Sequence, residues 1–286
     1  MIPNIFHFVY FTPADLSAKF FSLAHYLAIQ SAIVKNTPEK VIFYFDKEPY
    51  GEWWNKIKPL LTLHQMEAPK TFLGRDIFHL AHKADVVRLQ ALKETGGIYL
   101  DLDTISVKPL TNFLNNSFLI GRELDAEYVP KNWRQKIKYT TRKKFGLLKS
   151  NAIVSANFCN AVLLSEKNSA FVNLWLNEYK TFRSLGRDKY WNEHSSIIPE
   201  RLAKQHPELI TIESPYAFHY PLYDKKGLQS MFETVTDFPN AYLHHIWESF
   251  SWNDYLSKLS VEQIRQKDTT YNLIARKVLD PKNIKL

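Results

Sequence analysis

Two aspartates separated by one residue, Asp101 and Asp103, are the side chains of this sequence best suited to binding a cation. If the chain is extended here, both carboxylates point the same way. Their like charges repel each other unless a cation lies between them. Mg²⁺ and Mn²⁺ prefer oxygen ligands, and Mg²⁺ commonly binds one or two carboxylates together with substrate phosphates. The pair therefore predicts a metal that bridges the chain to a diphosphate, whereas an isolated pair of this type is more often a solvated turn.

The residues before the aspartates predict the structure that positions them. A helix is predicted over residues 84–94, and it ends at the glycine pair 96–97, which permits a tight turn. Residues 98–100 form a short apolar strand, and the aspartates leave its C-terminal end. Ligands of open α/β sheets bind at that edge. Asp85 and Arg88 lie one helical turn apart, so both can face the pocket, although an ordinary surface ion pair has the same spacing.

Apolar patterns along the chain predict an α/β fold. Strands at residues 5–11 and 41–45 enclose a helix at 20–34, which indicates a βαβ unit and hence a parallel sheet. Further strands are predicted at 118–121 and 152–154, further helices at 53–60, 169–181, 195–204 and 261–279, and an aromatic loop at 215–223. We expect a single domain over 1–286, with a basic insertion at about 128–150 and a C-terminal helical segment at about 253–286.

Composition narrows the classes of protein to which the chain can belong. With 45% apolar and 14% aromatic residues in 286, the chain can bury a large core, which excludes wholesale disorder. Its formal charge of +8 suits anionic partners without choosing among them. Cys159 is the only cysteine, so no disulfide forms within the chain, and we expect a small buried side chain. No signal peptide or membrane-spanning run is evident, which predicts a cytoplasmic location.

The segment around the aspartates resembles the DXD sugar-binding region of one group of GT-A glycosyltransferases. Its pattern, a helix with S/A-D-x-x-R and then G-G-x-Y-x-D-x-D, is matched here from Ala84 to Asp103. The group includes the fungal initiating α-1,6-mannosyltransferases, the α-1,4-galactosyltransferases and, more distantly, the clostridial glucosylating toxins. The opening I-P-N-I-F-H-F-V-Y-F resembles the group's first strand, and H-I-W at 245–247 resembles its late H-x-W. This resemblance implies a GT-A type nucleotide-sugar-binding fold, with a mostly parallel central sheet flanked by helices.

The resemblance also implies roles for the residues that could take part in catalysis. Asp103 would ligate Mn²⁺ or Mg²⁺ directly. Asp101 would contact the ribose, the metal through water, or both. His245 would be the third protein ligand of the metal, since imidazole also binds such ions. Asp85 and Arg88 would contact the hydroxyls of the donor sugar and help to hold the pocket.

A second set of residues is implied to bind the nucleotide-sugar donor. Phe8, Val9 and Tyr10 on the first strand would line the nucleoside site. Tyr10 would stack on the base, although it stands where the group usually has Trp, and a place in the core is the competing expectation for Phe8. Ser251 and Trp252, just beyond the late histidine motif, would also contact the donor.

The implied reaction is a metal-dependent, retaining transfer of a hexose from a nucleoside diphosphate sugar to a glycan or glycolipid. A UDP-sugar is the favoured donor and GDP-mannose the second choice. Catalysis would rest on positioning and on electrostatic stabilisation of the leaving diphosphate. One of Asn192, Glu193 and His194 could approach the sugar, although helix capping is their simpler role. The alternatives are an effector-type protein glycosyltransferase, a metal-dependent phosphodiesterase and a non-catalytic carbohydrate-binding protein.

The segment 131–149, which begins at Lys131 and ends at Lys149, holds eight Lys or Arg and no acidic residue. These charges cannot neutralise one another, so the segment should project into solvent or meet anions. It could recruit an acidic acceptor, or it could hold the enzyme on an anionic membrane such as the inner membrane face, with a solvated basic surface as the alternative. No nucleic-acid partner is expected.

Overall fold

The computed structural model describes residues 1–124 and 157–279. Its strands are β1 (Ile5–Tyr10), β2 (Lys40–Phe45), β3 (Thr62–Gln65), β4 (Thr71–Phe72), β5 (Arg75–Asp76), β6 (Gly97–Leu100), β7 (Thr104–Ser106), β8 (Phe118–Glu123), β9 (Asn157–Ser165), β10 (Thr211–Glu213) and β11 (Leu243–His245). Its α-helices are α1 (Leu23–Asn36), α2 (Glu52–Ile57), α3 (Leu80–Thr95), α4 (Ala170–Glu178), α5 (Ile198–Gln205), α6 (Pro215–Phe218), α7 (Lys225–Phe232), α8 (Glu248–Ser251), α9 (Val261–Gln266) and α10 (Thr270–Leu279).

A seven-stranded sheet in the order β10-β8-β9-β6-β1-β2-β3 forms the centre of the fold. The pairs β1–β2, β1–β6, β2–β3 and β8–β10 are parallel. β9 runs antiparallel to both of its neighbours, β6 and β8. The predicted βαβ unit is confirmed, because β1 and β2 pair in parallel and α1 connects them. The mostly parallel sheet confirms the predicted α/β class.

Apolar side chains bury both faces of this sheet. On one face, α1, α2, α7 and α10 contribute to a cluster that includes Phe8 and Phe43. On the other face, α3, α4 and α5 contribute to a cluster that includes Phe118 and Trp175. Burial on both sides explains why these strands are nearly continuous apolar runs rather than alternating ones.

Several elements differ from the sequence prediction. The predicted aromatic loop at 215–223 begins with the short helix α6, and the predicted helix at 261–279 is two helices, α9 and α10. The chain is extended at Lys267, whose carbonyl oxygen accepts a hydrogen bond from Asn272 Nδ2 at 3.0 Å. The predicted strand at 152–154, the whole basic insertion and the last seven residues lie outside the described ranges. Within those ranges, no helix combines the length and the apolar character needed to cross a membrane.

The turn from α3 into β6 depends on Gly97. Its φ is +116°, and a Cβ at this position would lie 2.4 Å from the carbonyl oxygen of Ile5. No side chain fits there, so glycine allows β6 to lie directly beside β1. His7 on β1 stabilises the same turn, because its Nε2–H donates to the Gly96 carbonyl oxygen at 2.8 Å. The glycine pair therefore delivers the two aspartates to the C-terminal edge of the sheet, as predicted.

Candidate active site

Asp101 and Asp103 lie in the turn between β6 and β7, directly after the strand as predicted, although the chain does not stay extended there. The Asp101 N–H donates to the Ala161 carbonyl oxygen at 2.9 Å, which anchors the turn to β9. Thr104 Oγ1 donates to the Asp101 carbonyl oxygen at 2.8 Å, which closes it. One carboxylate oxygen of Asp101 nevertheless lies within 4.8 Å of one carboxylate oxygen of Asp103.

His245 reaches the aspartates from the far end of the chain. β11 pairs antiparallel with β7, and this register places His245 opposite Thr104. The His245 Nε2–H donates to Asp103 Oδ2 at 3.1 Å, and the Glu248 N–H donates to the same oxygen at 2.8 Å. One ligand atom from each of Asp101, Asp103 and His245 lies within 4.8 Å of the other two. The structure thus brings together the three residues proposed as metal ligands.

The two aspartates differ in their electrostatic surroundings. Burial raises the pKa of Asp101, an effect that Arg88 opposes and Asp103 reinforces. Burial alone would also raise the pKa of Asp103, but His245 and the Glu248 N–H outweigh it and lower that pKa to about 2. For His245, burial lowers the pKa, and Asp103 outweighs burial so that the pKa rises. Asp103 and His245 therefore stabilise each other's charged forms.

Arg88 is buried behind the aspartates and pairs with two carboxylates. Its Nη2 lies 3.1 Å from Asp85 Oδ1 and 3.2 Å from Asp101 Oδ1. Its guanidinium also lies 4.3 Å from the ring centroid of Tyr99. Arg88 is 4% exposed and Asp85 5% exposed, so the alternative of an ordinary surface ion pair is wrong. Arg88 instead fixes the position of Asp101.

Two further side chains, which the sequence did not single out, hold these carboxylates. Tyr99 Oη donates to Asp101 Oδ1 at 2.5 Å. Asn160 Nδ2 donates to Asp85 Oδ1 at 2.7 Å, and the Asn160 carbonyl oxygen accepts from Arg88 Nη1 at 2.6 Å. Tyr99 could have been found from the sequence, because it lies on β6 two residues before Asp101. Asn160 is 75 residues from Asp85, so no local pattern pointed to it.

The residues predicted to line the nucleoside site are largely buried. Phe8 is 0% exposed and packs within the core, so it has no surface with which to line a ligand site, contrary to the prediction. Tyr10 is 3% exposed, and its hydroxyl donates to the Phe20 carbonyl oxygen at 2.7 Å. Lys19 Nζ lies 4.2 Å from the Tyr10 ring centroid and covers a face of the ring. Val9 is 9% exposed and belongs to the apolar cluster on the other face of the sheet.

Trp252 lines a cavity of about 650 Å³, together with Lys19, His25, Arg187 and Glu248 among others. Glu248 connects this cavity to the site, because its backbone N–H is the one that donates to Asp103. Ser251 is fully buried, and its Oγ donates to the Ile246 carbonyl oxygen at 2.7 Å. The Ser251 hydroxyl therefore stabilises the loop that carries His245, while Trp252 faces the cavity.

The stretch 192–194, which the sequence placed near the sugar or at a helix cap, makes structural contacts. Asn192 precedes a helical turn, but its side chain makes no capping hydrogen bond. Glu193 forms an ion pair with Arg183 at 2.5 Å. His194 is buried, and its Nε2–H donates to the Glu178 carbonyl oxygen at 3.1 Å. These contacts favour a role in packing for His194 and a surface ion pair for Glu193.

The chemistry of the site fits a divalent cation. The carboxylates of Asp85, Asp101 and Asp103 carry three negative charges against one positive charge on Arg88, which leaves a formal charge of −2 before His245 is counted. Opposite ligands of an ion with Mg²⁺–oxygen distances lie about 4 Å apart, close to the span of these ligand atoms. Two oxygens and one imidazole suit Mn²⁺ better than Mg²⁺, which prefers oxygen alone.

Comparison with known proteins decides the family. Residues 24–120 match the family described as "glycosyltransferase sugar-binding region containing DXD motif". Glucan organizing enzyme 1 of Cryptococcus neoformans var. grubii is 32% identical over 289 residues, which cover 99% of this chain and 72% of that protein. This chain belongs to the DXD glycosyltransferase family. The phosphodiesterase and non-catalytic alternatives are therefore wrong, and the glycosyltransferase family that the motifs implied is confirmed.

Solved structures similar to this glycosyltransferase share little of its sequence. The apo form of the glycosyltransferase GlyE from Streptococcus pneumoniae is 13% identical, with a TM-score of 0.48, over 96% of this chain and 62% of that one. Mouse xyloside xylosyltransferase 1 in its apo form is 13% identical, with a TM-score of 0.45, over 87% of this chain and 99% of that one.

Proposed function

We propose that this glycosyltransferase requires a divalent metal and transfers a hexose, with retention of configuration, from a nucleoside diphosphate sugar to a glycan or glycolipid. A UDP-sugar is the favoured donor, GDP-mannose is the second candidate, and a protein is the alternative acceptor. The observation that carries the proposal is the convergence of Asp101, Asp103 and His245 from two distant segments to within 4.8 Å. A site of this charge and ligand type suits a cation that also binds a diphosphate.

Mn²⁺ or Mg²⁺ would be held by Asp103, His245 and Asp101, directly or through water. When bound, the cation neutralises charge that develops on the leaving diphosphate. Asp103 and His245 hold each other in place through their 3.1 Å hydrogen bond. Arg88 and Tyr99 hold Asp101 through contacts of 3.2 Å and 2.5 Å. These supporting contacts fix the carboxylates before the donor arrives, which lowers the cost of organising the site.

The cavity that Trp252 and Glu248 line is where we propose that the donor binds. Lys19 and Arg187 line it, and their positive charges would stabilise the diphosphate as it leaves. Trp252, whose indole lies nearly parallel to the His25 ring with an interplanar angle of 19°, provides a flat apolar wall. The acceptor would then attack from the face that the diphosphate leaves. Positioning and charge stabilisation account for the rate in this scheme.

A panel of nucleotide sugars tests the donor and the metal together. Each candidate is added with Mn²⁺ while the melting temperature is recorded, and the released nucleoside diphosphate is then quantified. A donor at about 100 times its Kd should stabilise the protein by about 2.7 kcal/mol. We expect UDP-sugars to stabilise most and turnover to stop in excess EDTA. Undiminished turnover in EDTA would contradict the metal, and stabilisation by no nucleotide sugar would contradict the donor class.

A further inference from the structure

A second group of side chains that could ligate a metal is joined to the aspartates through His245. Cys159, His219 and His245 each place one ligand atom within 4.8 Å of the other two. This group shares His245 with the aspartate cluster but contains no carboxylate. Sulfur and imidazole nitrogen are softer ligands than the oxygens of the aspartates, so the group would select a different metal.

The fold brings these three residues together through a glycine. Gly121 on β8 pairs with Cys159 on β9. The His219 ring packs directly onto Gly121, since a Cβ there would lie 2.9 Å from His219 Nε2. Glycine at position 121 therefore allows the imidazole to approach the cysteine. The His219 and His245 rings meet edge to face, with their centroids 5.9 Å apart.

His219 lacks the partners that a buried histidine normally has. It is 0% exposed, and neither of its ring nitrogens forms a hydrogen bond within the described part of the chain. Buried polar atoms without partners are costly and call for an explanation, of which a bound ion is one.

His245 is oriented so that its two nitrogens face different groups. Its Nδ1 lies 4.0 Å from Cys159 Sγ, and its Nε2–H donates to Asp103 Oδ2 at 3.1 Å. Metal-binding histidines commonly donate their second N–H to a carboxylate, which fixes the ring. A metal on Nδ1 would complete that arrangement with the hydrogen bond already present.

We propose that Cys159, His219 and Nδ1 of His245 bind Zn²⁺, and that Zn²⁺ at this site inhibits the transferase. One thiolate and two imidazoles are ligands that Zn²⁺ prefers, with a fourth position left for water. Binding displaces to solvent the thiol proton of Cys159 and the Nδ1 proton that His245 carries in its charged form, and the new bonds to zinc offset the cost of removing them. Nε2 of His245 then keeps its proton for Asp103. It cannot at the same time ligate a metal held by the aspartates, so the two uses of His245 exclude each other.

Zinc binding is tested first without any enzyme assay, using Co²⁺ as a spectroscopic substitute for Zn²⁺. Coordination by a thiolate produces a sulfur-to-cobalt charge-transfer band in the near ultraviolet, and Cys159 is the only cysteine of the chain. We expect this band in the wild type, its loss in Cys159→Ser and His219→Gln, and its displacement by Zn²⁺. Melting curves show that the variants are folded. Absence of the band from the folded wild type would overturn the site.

The inhibition, unlike the binding, rests on the proposed function, and a second measurement separates the two. Zn²⁺ is titrated into transfer assays that contain saturating Mn²⁺. Because outer-shell changes already cost about 10- to 100-fold in metal affinity, loss of the thiolate in Cys159→Ser should raise the half-inhibitory Zn²⁺ concentration at least about 100-fold, with unchanged activity before zinc is added. Equal inhibition of both proteins would overturn inhibition through this site. Transfer that needs no metal would instead contradict the proposed function and leave the Co²⁺ band intact.

Discussion

Arg88 links the two carboxylates whose positions the site requires. Its Nη2 lies within 3.2 Å of both Asp85 Oδ1 and Asp101 Oδ1, and its Nη1 donates to the Asn160 carbonyl oxygen. A planar guanidinium serves all three oxygens at once, whereas an ammonium group is a single point charge. The planar geometry of the guanidinium therefore holds Asp101 in place, in addition to its positive charge.

We expect Arg88→Lys to lower kcat/KM for transfer about 100-fold, because misplacing a group by about 1 Å costs that much. The free energy of unfolding should fall by about 1–3 kcal/mol, since buried hydrogen-bonding groups lose their partner. Donor kinetics and urea unfolding measure the two effects. Arg201→Lys is the control, because Arg201 is 51% exposed in its pair with Glu178 and such surface pairs contribute about 0–1 kcal/mol. Wild-type kinetics in Arg88→Lys would contradict the positioning role.

The sequence revealed the residues of the site that lie close together along the chain. Asp85 and Arg88 could be placed by the period of one helix, and Asp101 and Asp103 by their position at the end of a short apolar strand. Asn160 could not, because its partner Asp85 is 75 residues away and an asparagine on a strand carries no signal of its own. His245, 142 residues from Asp103, was found by resemblance to a family motif and not by any spacing.

At the scale of elements, the approach of β6 to β1 gives a prediction at Gly97. An added Cβ would lie 2.4 Å from the Ile5 carbonyl oxygen, at a φ of +116°. Gly74 is a matched control, because its φ is +75° but an added Cβ would meet no atom within 4 Å. We expect Gly74→Ala to cost about 1–2 kcal/mol from the backbone alone. Gly97→Ala should cost about 3 kcal/mol or more, since overpacking adds to that strain.

Urea unfolding of both glycine variants measures these costs directly. Transfer activity should fall only in Gly97→Ala, because β6 carries Asp101 at its end. Equal losses of stability in the two variants would show that the close approach of β6 to β1 is not what position 97 requires.

The strands that the sequence did not predict have no diagnostic pattern. All four residues of β3 are exposed, so no alternation of apolar and polar residues marks it as a strand. β9 is largely buried, with both of its faces covered, and its apolar run is equally compatible with a buried helix. The pairing of β9 with β6 and β8 identifies it, and that is a tertiary property.

At the scale of the whole molecule, buried histidines make stability depend on pH. Burial lowers the pKa of His7 to about 4, although its hydrogen bond to Gly96 opposes the shift. Burial likewise lowers the pKa of His244 to about 4, against its hydrogen bond to Tyr220. Unfolded histidines titrate near pH 6.5, so below that pH the unfolded chain binds more protons than the folded one. Stability is therefore fully present above about pH 6.5 and is lost as the pH falls towards 4.

The wild type loses stability between pH 7 and pH 5 because His7 takes up a proton on unfolding. We expect His7→Gln to lose about 2 kcal/mol less than the wild type over the same range. Glutamine keeps a donor for the Gly96 carbonyl oxygen but does not titrate. Urea unfolding at both pH values gives the difference. His206→Gln is the control, because the His206 side chain is 41% exposed. An unchanged pH dependence in His7→Gln would contradict the assignment.

The basic segment 131–149, outside the described residues, gives a prediction about partners. We propose that it contacts anionic membranes, where each basic residue contributes about 1 kcal/mol within a Debye length of about 10 Å. Replacing Arg142, Lys143 and Lys144 with Gln should weaken co-sedimentation with anionic vesicles, and salt should weaken the wild type. The control is a double variant in which the exposed Lys225 and Lys226 are replaced with Gln. If the triple variant binds vesicles as strongly as the wild type, the membrane contact is contradicted and a solvated basic surface is the remaining interpretation.

Mn²⁺ binding to Asp103→Asn tests most directly whether Asp101, Asp103 and His245 hold a divalent cation. The substitution preserves the volume of the side chain and removes its charge, and the paramagnetic resonance signal of free Mn²⁺ reports the unbound ion. With UDP present, we expect the affinity of the wild type for Mn²⁺ to exceed that of Asp103→Asn by at least about 100-fold, because even outer-shell changes cost about 10- to 100-fold. Asp76→Asn, at an exposed carboxylate, should bind like the wild type. Equal Mn²⁺ affinity in Asp103→Asn and the wild type would contradict the metal site.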